Sequence, residues 1–138
     1  QLQELRDDPA LIKGAVEEVL RYESPIRAMG RLVKDDFALD GRALQEGQTI
    51  TLVLGAANRD PARYSDPDRF DIRRADTRHL AFGHGPHFCI GAPLARLEGQ
   101  IAISAVLRRL PALRLATDAP EWDPNILFRG LKSLPVVF

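Results

Sequence analysis

The only cysteine of the chain, Cys89, lies in a glycine-rich segment directly before a long helical pattern. The segment reads FGHGPHFCIG over residues 82–91. Its first two glycines allow a tight loop whose backbone can approach a flat ligand. A cysteine at the start of a helix is favoured as a thiolate, because the helix dipole and the free N–H groups stabilise negative charge. The segment therefore predicts a loop that presents a thiolate to a ligand.

Two other interpretations of Cys89 remain open from its residue type alone. A single cysteine is often a small buried hydrophobic residue with no chemistry. A cysteine with histidines nearby is also compatible with a hydrolase nucleophile. The glycines, the helix start and the flanking aromatic residues favour the ligand interpretation. One cysteine also excludes an internal disulfide framework and every zinc site that needs several thiolates.

The composition sets broad limits on the class of protein. A chain of 138 residues, 45% of them hydrophobic, is long enough for one domain with a core. Its formal net charge of zero provides no bulk attraction to nucleic acid or to an anionic membrane. No apolar run has the length of a membrane span and no secretory signal is visible, so we expect a cytoplasmic location. Gln1 is not an initiator methionine, and we interpret the chain as part of a longer protein.

The pattern along the chain indicates an α+β fold. Asp8-Pro9 is a helix start, and apolar residues at helical spacing predict a helix over 9–22 that ends before Pro25. Residues 31–54 predict an antiparallel meander of short strands, with 49–54 the clearest. A second long helix is expected from 90 to about 111, and short strands within 113–115 and 131–137. Residues 55–81 predict a long coil, which in a compact domain indicates a functional segment.

The cysteine segment resembles the cysteine-loop signature of bacterial cytochromes P-450. The matching positions are Phe82, Gly83, Gly85, Cys89, Gly91 and Ala95. Two further motifs stand upstream in the family's order. Glu18-Val19-Leu20-Arg21 resembles the Glu-x-x-Arg helix motif, and Pro67-Asp68-Arg69-Phe70 resembles the meander motif that supplies a second arginine. The resemblance implies that residues 1–138 are the C-terminal, haem-binding portion of one actinobacterial-type cytochrome P-450 domain, an α+β part of a mostly helical fold.

The resemblance also implies roles for single residues. It makes Cys89 the axial ligand of the iron in haem b, with Phe82, Gly83, Gly91 and Ala95 around it. It makes Arg31 and His87 the groups that bind the two haem propionates. It implies a structural cluster of Glu18, Arg21 and Arg69 that holds the coil. An exposed Glu18–Arg21 pair, contributing about 0–1 kcal/mol, is the alternative for the first two of these residues.

Substrate contacts follow from the same resemblance. It assigns one cavity-lining segment to Ile26, Arg27 and Ala28, and a second to Leu127 and Phe128. Arg27 is unusual for an apolar pocket and suits an acidic or polar substrate group. The alternative for the apolar members is an ordinary core position.

The implied enzyme is a haem-thiolate monooxygenase that inserts one oxygen atom of O₂ into a small organic substrate. Its electrons would come from NAD(P)H through a ferredoxin reductase and a ferredoxin. A basic face built from five arginines would suit an acidic ferredoxin, although an ordinary solvated charged surface is the simpler interpretation. The five are Arg63, Arg73, Arg74, Arg78 and Arg96. No residue here matches the family's distal acid/alcohol pair. We therefore expect no catalytic residue in this chain, and we expect the 138-residue piece alone to be catalytically inactive. The alternative is a truncated or degenerate relative that binds haem or a protein partner without catalysis.

Overall fold

Two helices organise the structure, a computed structural model that describes residues 1–138. Helix α2 spans Ile12–Tyr22 and helix α4 spans Ala92–Arg109. A 3₁₀ turn over Pro9–Leu11 leads into α2, and its N-cap Asp8 accepts a hydrogen bond from the Ala10 N–H at 3.1 Å. The predicted helix start and the predicted end at Tyr22 are both confirmed.

A short helix, α1 (Leu2–Asp7), precedes this turn and was not predicted. Its six residues include only two apolar ones, which is too few for helical spacing to become visible in the sequence. Its Leu5 is nevertheless buried against the following elements. Tertiary packing therefore stabilises α1 more than its own sequence pattern does.

The strands form pairs rather than the predicted meander. Strand β1 (Met29–Leu32) pairs antiparallel with β4 (Thr49–Leu52), whereas β2 (Phe37–Leu39) pairs only with β3 (Arg42–Leu44). The β2–β3 hairpin turns at Asp40-Gly41, where both residues have positive φ, so it closes locally and leaves β1 free to meet β4. The tail adds an antiparallel pair, β5 (Arg114–Leu115) with β6 (Val136–Val137).

The coil between β4 and the cysteine loop contains one short helix, α3 (Leu54–Ala57), and otherwise has no regular element. It packs against α2 at very close range. A Cβ atom added to Gly14 would lie 2.9 Å from the Ile72 carbonyl oxygen of the coil. Ile72 belongs to the main hydrophobic cluster with Leu5 and Ala15. The absence of a side chain at Gly14 thus lets the coil lie directly on the helix.

Helices α2 and α4 also contact each other through a glycine. A Cβ added to Gly99 of α4 would lie 3.3 Å from Cγ1 of Val16 on α2. The opposite face of α4 is apolar and exposed: Leu94, Leu97 and Ile101. No helix in the structure combines the length and the apolar character needed to cross a membrane.

Candidate functional site

The site begins with an ion pair inside α2. Arg21 donates from Nε and Nη2 to the two carboxylate oxygens of Glu18, at 2.7 Å and 2.8 Å. Their spacing of three residues places both side chains on one face of the helix. Both side chains are fully buried, so the exposed-pair alternative is wrong. A buried bidentate pair of this kind is stable only when its remaining donors and acceptors are also satisfied.

The coil supplies those remaining partners. Arg21 Nη1 donates to the carbonyl oxygens of Asn58 and Pro67 at 2.8 Å and 2.9 Å, and Nη2 donates to that of Arg69 at 3.2 Å. The Asp71 N–H donates to Oε1 of Glu18 at 2.9 Å. These bonds tie an irregular segment to one helix, which explains how a long coil is ordered in this fold.

The predicted side-chain role of Arg69 is wrong. The Arg69 residue contributes only its backbone carbonyl oxygen to the cluster. Its guanidinium points away from the cluster, since the side chain is 68% exposed and lies 3.8 Å from the Asp71 carboxylate. Arg74 occupies the expected position instead. Its Nε lies 3.2 Å from Oε1 of Glu18, and its Nη groups donate to the carbonyl oxygens of Ser65, Asp66 and Arg69.

Burial and charge act in opposite directions on this cluster. Burial by itself would raise the pKa of Glu18, but hydrogen bonds from Arg21, the Asp71 N–H and Arg74 hold that pKa below its ordinary value. The hydrogen bond to Glu18 raises the pKa of Arg21, against the effect of burial. Both groups are therefore charged at neutral pH, and the cluster is an ionised network.

A second network, missed by the sequence analysis, joins α2 to α4. Arg96 donates from Nε and Nη2 to the Glu17 carboxylate at 2.7 Å and 2.9 Å. His79 of the coil is nearly fully buried, with Nε2 3.2 Å from the same carboxylate and Nδ1 accepting from the Ala81 N–H. Burial lowers the pKa of His79, and the charge of Glu17 only partly opposes this. Glu17 directly precedes the Glu-x-x-Arg motif, but no sequence pattern predicts that Arg96 and His79 would lie beside it.

Phe82 connects this second network to the cysteine loop. The guanidinium of Arg96 lies 4.7 Å from the Phe82 ring centroid, and the rings of His79 and Phe88 lie 5.9 Å and 6.3 Å away. The Phe82 carbonyl oxygen accepts a hydrogen bond from the Cys89 N–H at 3.0 Å. Phe82 thus closes the loop with its backbone and packs on the scaffold with its ring.

The cysteine loop has the predicted backbone. Gly83 and Gly85 both have positive φ, at 75° and 77°, and a 3₁₀ turn spans Gly85–His87. Cys89 stands three residues before α4 and is exposed, and its carbonyl oxygen accepts a hydrogen bond from the Ala92 N–H at 3.2 Å. The N–H groups of Ile90 and Gly91 have no hydrogen-bond acceptor within the chain. A Cβ added to Gly91 would lie 3.7 Å from the sulfur, so this residue is next to Sγ.

The two predicted substrate segments lie side by side. Ile26 forms an isolated antiparallel bridge with Phe128, and the Arg27 N–H donates to the Leu127 carbonyl oxygen at 2.8 Å. The Arg27 carbonyl accepts from Gly55 at the start of α3. Ile26, Leu127 and Phe128 are exposed apolar side chains on the surface of this chain. Residues distant in sequence therefore share one apolar surface.

Comparison with protein families identifies the fold. The family model described as Cytochrome P-450 matches residues 3–127, which is most of the chain. The chain belongs to the cytochrome P-450 family. The predicted α+β portion of that fold is confirmed by solved structures, among them P450BioI in complex with an acyl carrier protein ligated to hexadec-9Z-enoic acid. That structure has a TM-score of 0.96 and 50% identity, with 100% of this chain and 36% of that one covered.

Curated relatives are bacterial cytochromes P-450. The chain is 53% identical to the cytochrome P-450 monooxygenase PikC of Streptomyces venezuelae, over 99% of this chain and 33% of that protein. It is 49% identical to the biotin biosynthesis cytochrome P-450 of Bacillus subtilis, over 100% of this chain and 35% of that protein. The chain thus spans about a third of the length of the relatives that it matches.

The P-450 family implies haem, and the donor set of this chain fits it. An exposed sulfur beside two N–H groups without acceptors suits a thiolate ligand. Exposed Phe88 and Ile90 flank the sulfur and provide apolar surface for a flat ring. Arg31 and His87 are also exposed, and neither side chain contacts a carboxylate of the chain. Their positive or hydrogen-bonding groups remain available to the carboxylates of the cofactor.

The five arginines of the expected basic face are instead paired with carboxylates. Arg63 and Arg78 share Asp76 at 2.7 Å and 3.0 Å, and Arg73 lies 3.9 Å from Glu4. Arg74 and Arg96 belong to the two networks described above. The Asp76 pKa is held well below its usual range by Arg78 and Arg63. Each of the five arginines therefore lies beside a carboxylate, two of them beside the same one, and the fit of this face to an acidic ferredoxin stays a prediction.

Proposed function

We propose that this chain is the haem-thiolate portion of a P-450 monooxygenase, with Cys89 as the axial ligand of haem b. The observation that carries the proposal is the environment of Cys89. Its sulfur is exposed at the start of α4, beside Gly91 and two N–H groups that have no acceptor in the chain. Hydrogen-bond donors near a thiolate stabilise its negative charge, and so tune its donation to a metal.

The residues of this chain hold, orient and shield the cofactor in this proposal. Phe82 excludes water from one side of the sulfur, while Gly83, Gly91 and Ala95 leave room for the flat ring. Arg31 and His87 bind the two propionates. Bound haem supplies the iron chemistry by which one oxygen atom of O₂ enters an organic substrate and the other leaves as water.

The two networks on α2 supply the rigidity that such a site needs. Glu18, Arg21 and Arg74 fasten the coil that leads into the loop, and Glu17 with Arg96 fastens α4 and Phe82. Ligand residues are positioned accurately when neighbouring side chains are themselves locked by packing and hydrogen bonds. We infer that residues 1–138 act as one portion of a single P-450 domain in the cytoplasm.

The substrate is a small organic molecule that contacts Ile26, Arg27, Ala28, Leu127 and Phe128. Arg27 has no carboxylate partner in the chain, which suits an acidic or polar group of the substrate. Electrons come from NAD(P)H through a ferredoxin reductase and a ferredoxin. One similar structure contains an acyl carrier protein, so a carrier-bound substrate is a second form to test.

The test is oxygen incorporation by the haem-loaded protein expressed from its complete gene. The protein is supplied with NADPH, a ferredoxin reductase and a ferredoxin under isotopically labelled O₂. Free fatty acids and an acyl carrier protein loaded with the same acids are offered as substrates. One labelled oxygen atom per product molecule, absent from the Cys89→Ser variant, supports the proposal. Bound haem with no labelled product from any substrate would instead support a relative without catalysis.

A further inference from the structure

One carboxylate of α2 anchors two groups that contact the Phe82 ring from different elements. Arg96 of α4 donates two hydrogen bonds to Glu17, at 2.7 Å and 2.9 Å, and its guanidinium lies 4.7 Å from the Phe82 ring centroid. His79 of the coil has its Nε2 3.2 Å from the same carboxylate. Its ring centroid lies 5.9 Å from that of Phe82, with the two planes inclined at 45°. Glu17 therefore fixes two neighbours of a ring that belongs to the cysteine loop.

His79 depends on Glu17 for its position. Its Nδ1 accepts a hydrogen bond from the Ala81 N–H at 3.1 Å, so the neutral imidazole carries its proton on Nε2. That nitrogen is buried and makes no hydrogen bond, and the Glu17 carboxylate 3.2 Å away provides its electrostatic partner. A buried N–H group without an acceptor is costly. Loss of the Glu17 charge would therefore leave His79 without its stabilising neighbour.

The contact of Arg96 with Phe82 also depends on Glu17. The two hydrogen bonds hold the planar guanidinium in one orientation, and an arginine fixed in this way loses little further freedom when it packs on a ring. The side chains of Arg96 and Glu17 are only 33% and 21% exposed. A cation–π contact becomes stronger when it is partly removed from water. The guanidinium thus restrains the ring more firmly than a free surface arginine could.

The other side of Phe82 faces the cysteine loop. Its carbonyl oxygen accepts a hydrogen bond from the Cys89 N–H at 3.0 Å. Its ring meets that of Phe88, the residue before Cys89, edge-on at 6.3 Å. Phe82 is therefore joined to the cysteine by its backbone and to the scaffold by its ring, so a displacement of the scaffold groups is transmitted to the surroundings of the sulfur.

We propose that Glu17, Arg96 and His79 are positioning residues that hold the Phe82 ring as a cover over the Cys89 sulfur. This inference rests on the proposed function, in which Phe82 excludes water from one side of that sulfur. When the ring is displaced, water reaches the thiolate. The thiolate then takes a proton from the solvent, becomes a thiol and is lost as a strong ligand of the iron. The three residues act through Phe82, and Glu17 is the one on which the other two depend.

The test measures how fast the thiolate is lost from the haem-loaded protein expressed from its complete gene. The dithionite-reduced carbon monoxide complex is held at fixed pH and temperature, and the decay of its long-wavelength Soret band is followed. We expect Arg96→Gln to speed the decay about tenfold, because the cation leaves the ring. Arg96→Lys keeps a cation beside Glu17 and should speed it less than about threefold. Glu17→Gln still accepts from Arg96 but loses its charge, and should speed it about threefold.

A double-mutant cycle shows whether Arg96 acts through the ring. Phe82→Leu removes the ring and should itself speed the decay. In that background, Arg96→Gln should add less than about twofold, because the contact that it breaks is already absent. The full tenfold effect of Arg96→Gln in the Phe82→Leu background would overturn the proposal.

The matched control is Arg59→Gln. Arg59 also combines a cation–π contact with an ion pair, since it lies 3.8 Å from the Tyr22 ring centroid and 3.0 Å from Asp68. Its replacement should change the decay less than about twofold, even where urea unfolding shows a loss of stability like that of Arg96→Gln. Equal acceleration by Arg59→Gln and Arg96→Gln would reduce the network to general stability and overturn the proposal.

Two further outcomes are decisive. Should Arg96→Gln fail to fold, Glu17→Gln decides, and an unchanged decay in that variant would overturn the proposal. A parent protein that binds haem but never shows the long-wavelength band would contradict the proposed function itself. A parent that shows the band, with decay unaffected by Arg96→Gln, would overturn only the role of the three positioning residues.

Discussion

Arg74 Nε lies 3.2 Å from Oε1 of Glu18, although the two residues are 56 positions apart in the sequence. Arg74 also donates to three carbonyl oxygens of the preceding turn, so one side chain closes the coil on itself and on α2. Its side chain is only 10% exposed. This contact, together with the bonds of Arg21, makes the coil a defined structure rather than a loose connection.

Arg74 and Arg69 should therefore respond very differently to substitution. We expect Arg74→Ala to lower the free energy of unfolding by about 2–4 kcal/mol, because it leaves a buried carboxylate under-bonded. Arg69→Ala should cost less than about 0.5 kcal/mol, because its side chain is exposed and only its carbonyl takes part. Urea unfolding of the complete protein measures both. A larger loss from Arg69→Ala would show that the Arg69 side chain itself takes part in the Glu18–Arg21 cluster.

Substitution of either member of the buried pair should be more severe. Glu18→Ala leaves the Arg21 guanidinium buried without its carboxylate, and Arg21→Ala leaves Glu18 without its main donor. Each change should cost about 3–5 kcal/mol, which is a large fraction of the stability of a typical domain. We expect both variants to fail to incorporate haem, as measured by the ratio of Soret to protein absorbance. Normal haem content in either variant would show that the cluster is dispensable.

The sequence motifs predicted the cluster's anchor but not its full membership. Glu18 and Arg21 are adjacent on a helix, so their pairing follows from spacing. Whether the side chain of Arg69 or that of Arg74 reaches Glu18 depends on the backbone direction after Asp66, where φ is 46°. This coil has no periodic sequence pattern from which that direction could be predicted. Likewise, the pairing of β1 with β4 depends on the intervening β2–β3 hairpin pairing with itself rather than with either of them. Local patterns predicted elements well, and contacts between distant segments poorly.

The buried histidine predicts a pH dependence of stability. Burial lowers the pKa of His79 from its ordinary value of 6.5, so the unfolded chain binds a proton more readily than the folded one. The free energy of unfolding should therefore decrease as pH falls below 6.5, through the interval down to the folded pKa, and be unaffected by this group above 6.5. In His79→Asn, an amide can still accept from the Ala81 N–H, and this part of the decrease should disappear.

His84→Asn is the control for that experiment, since His84 is an exposed histidine of the same loop region. It should retain the decrease seen in the parent. An identical pH profile for the parent and His79→Asn would show that His79 is not a buried neutral group. Glu18 acts in a more acidic range, because its lowered pKa keeps its stabilisation until pH falls through the folded value.

Glycine at position 14 should be required for the contact between α2 and the coil. Gly14→Ala would place a Cβ 2.9 Å from the Ile72 carbonyl oxygen, and backbone must move to relieve it. We expect a loss of about 1–3 kcal/mol in unfolding free energy. Gly55→Ala in α3 is the matched helical control, because its nearest neighbour would be at 3.8 Å. That variant should be neutral or slightly stabilised, and similar losses at both positions would contradict the close packing.

The coordination of the sulfur of Cys89 is the central claim, and one spectrum tests it most directly. The haem-loaded protein from the complete gene is reduced with dithionite, exposed to carbon monoxide, and compared with its Cys89→His variant. The account predicts the long-wavelength Soret band of thiolate-ligated haem in the parent, and its replacement by the shorter-wavelength band of a nitrogen ligand in the variant. A long-wavelength band that persists in Cys89→His, or haem without that band in the parent, would contradict the account.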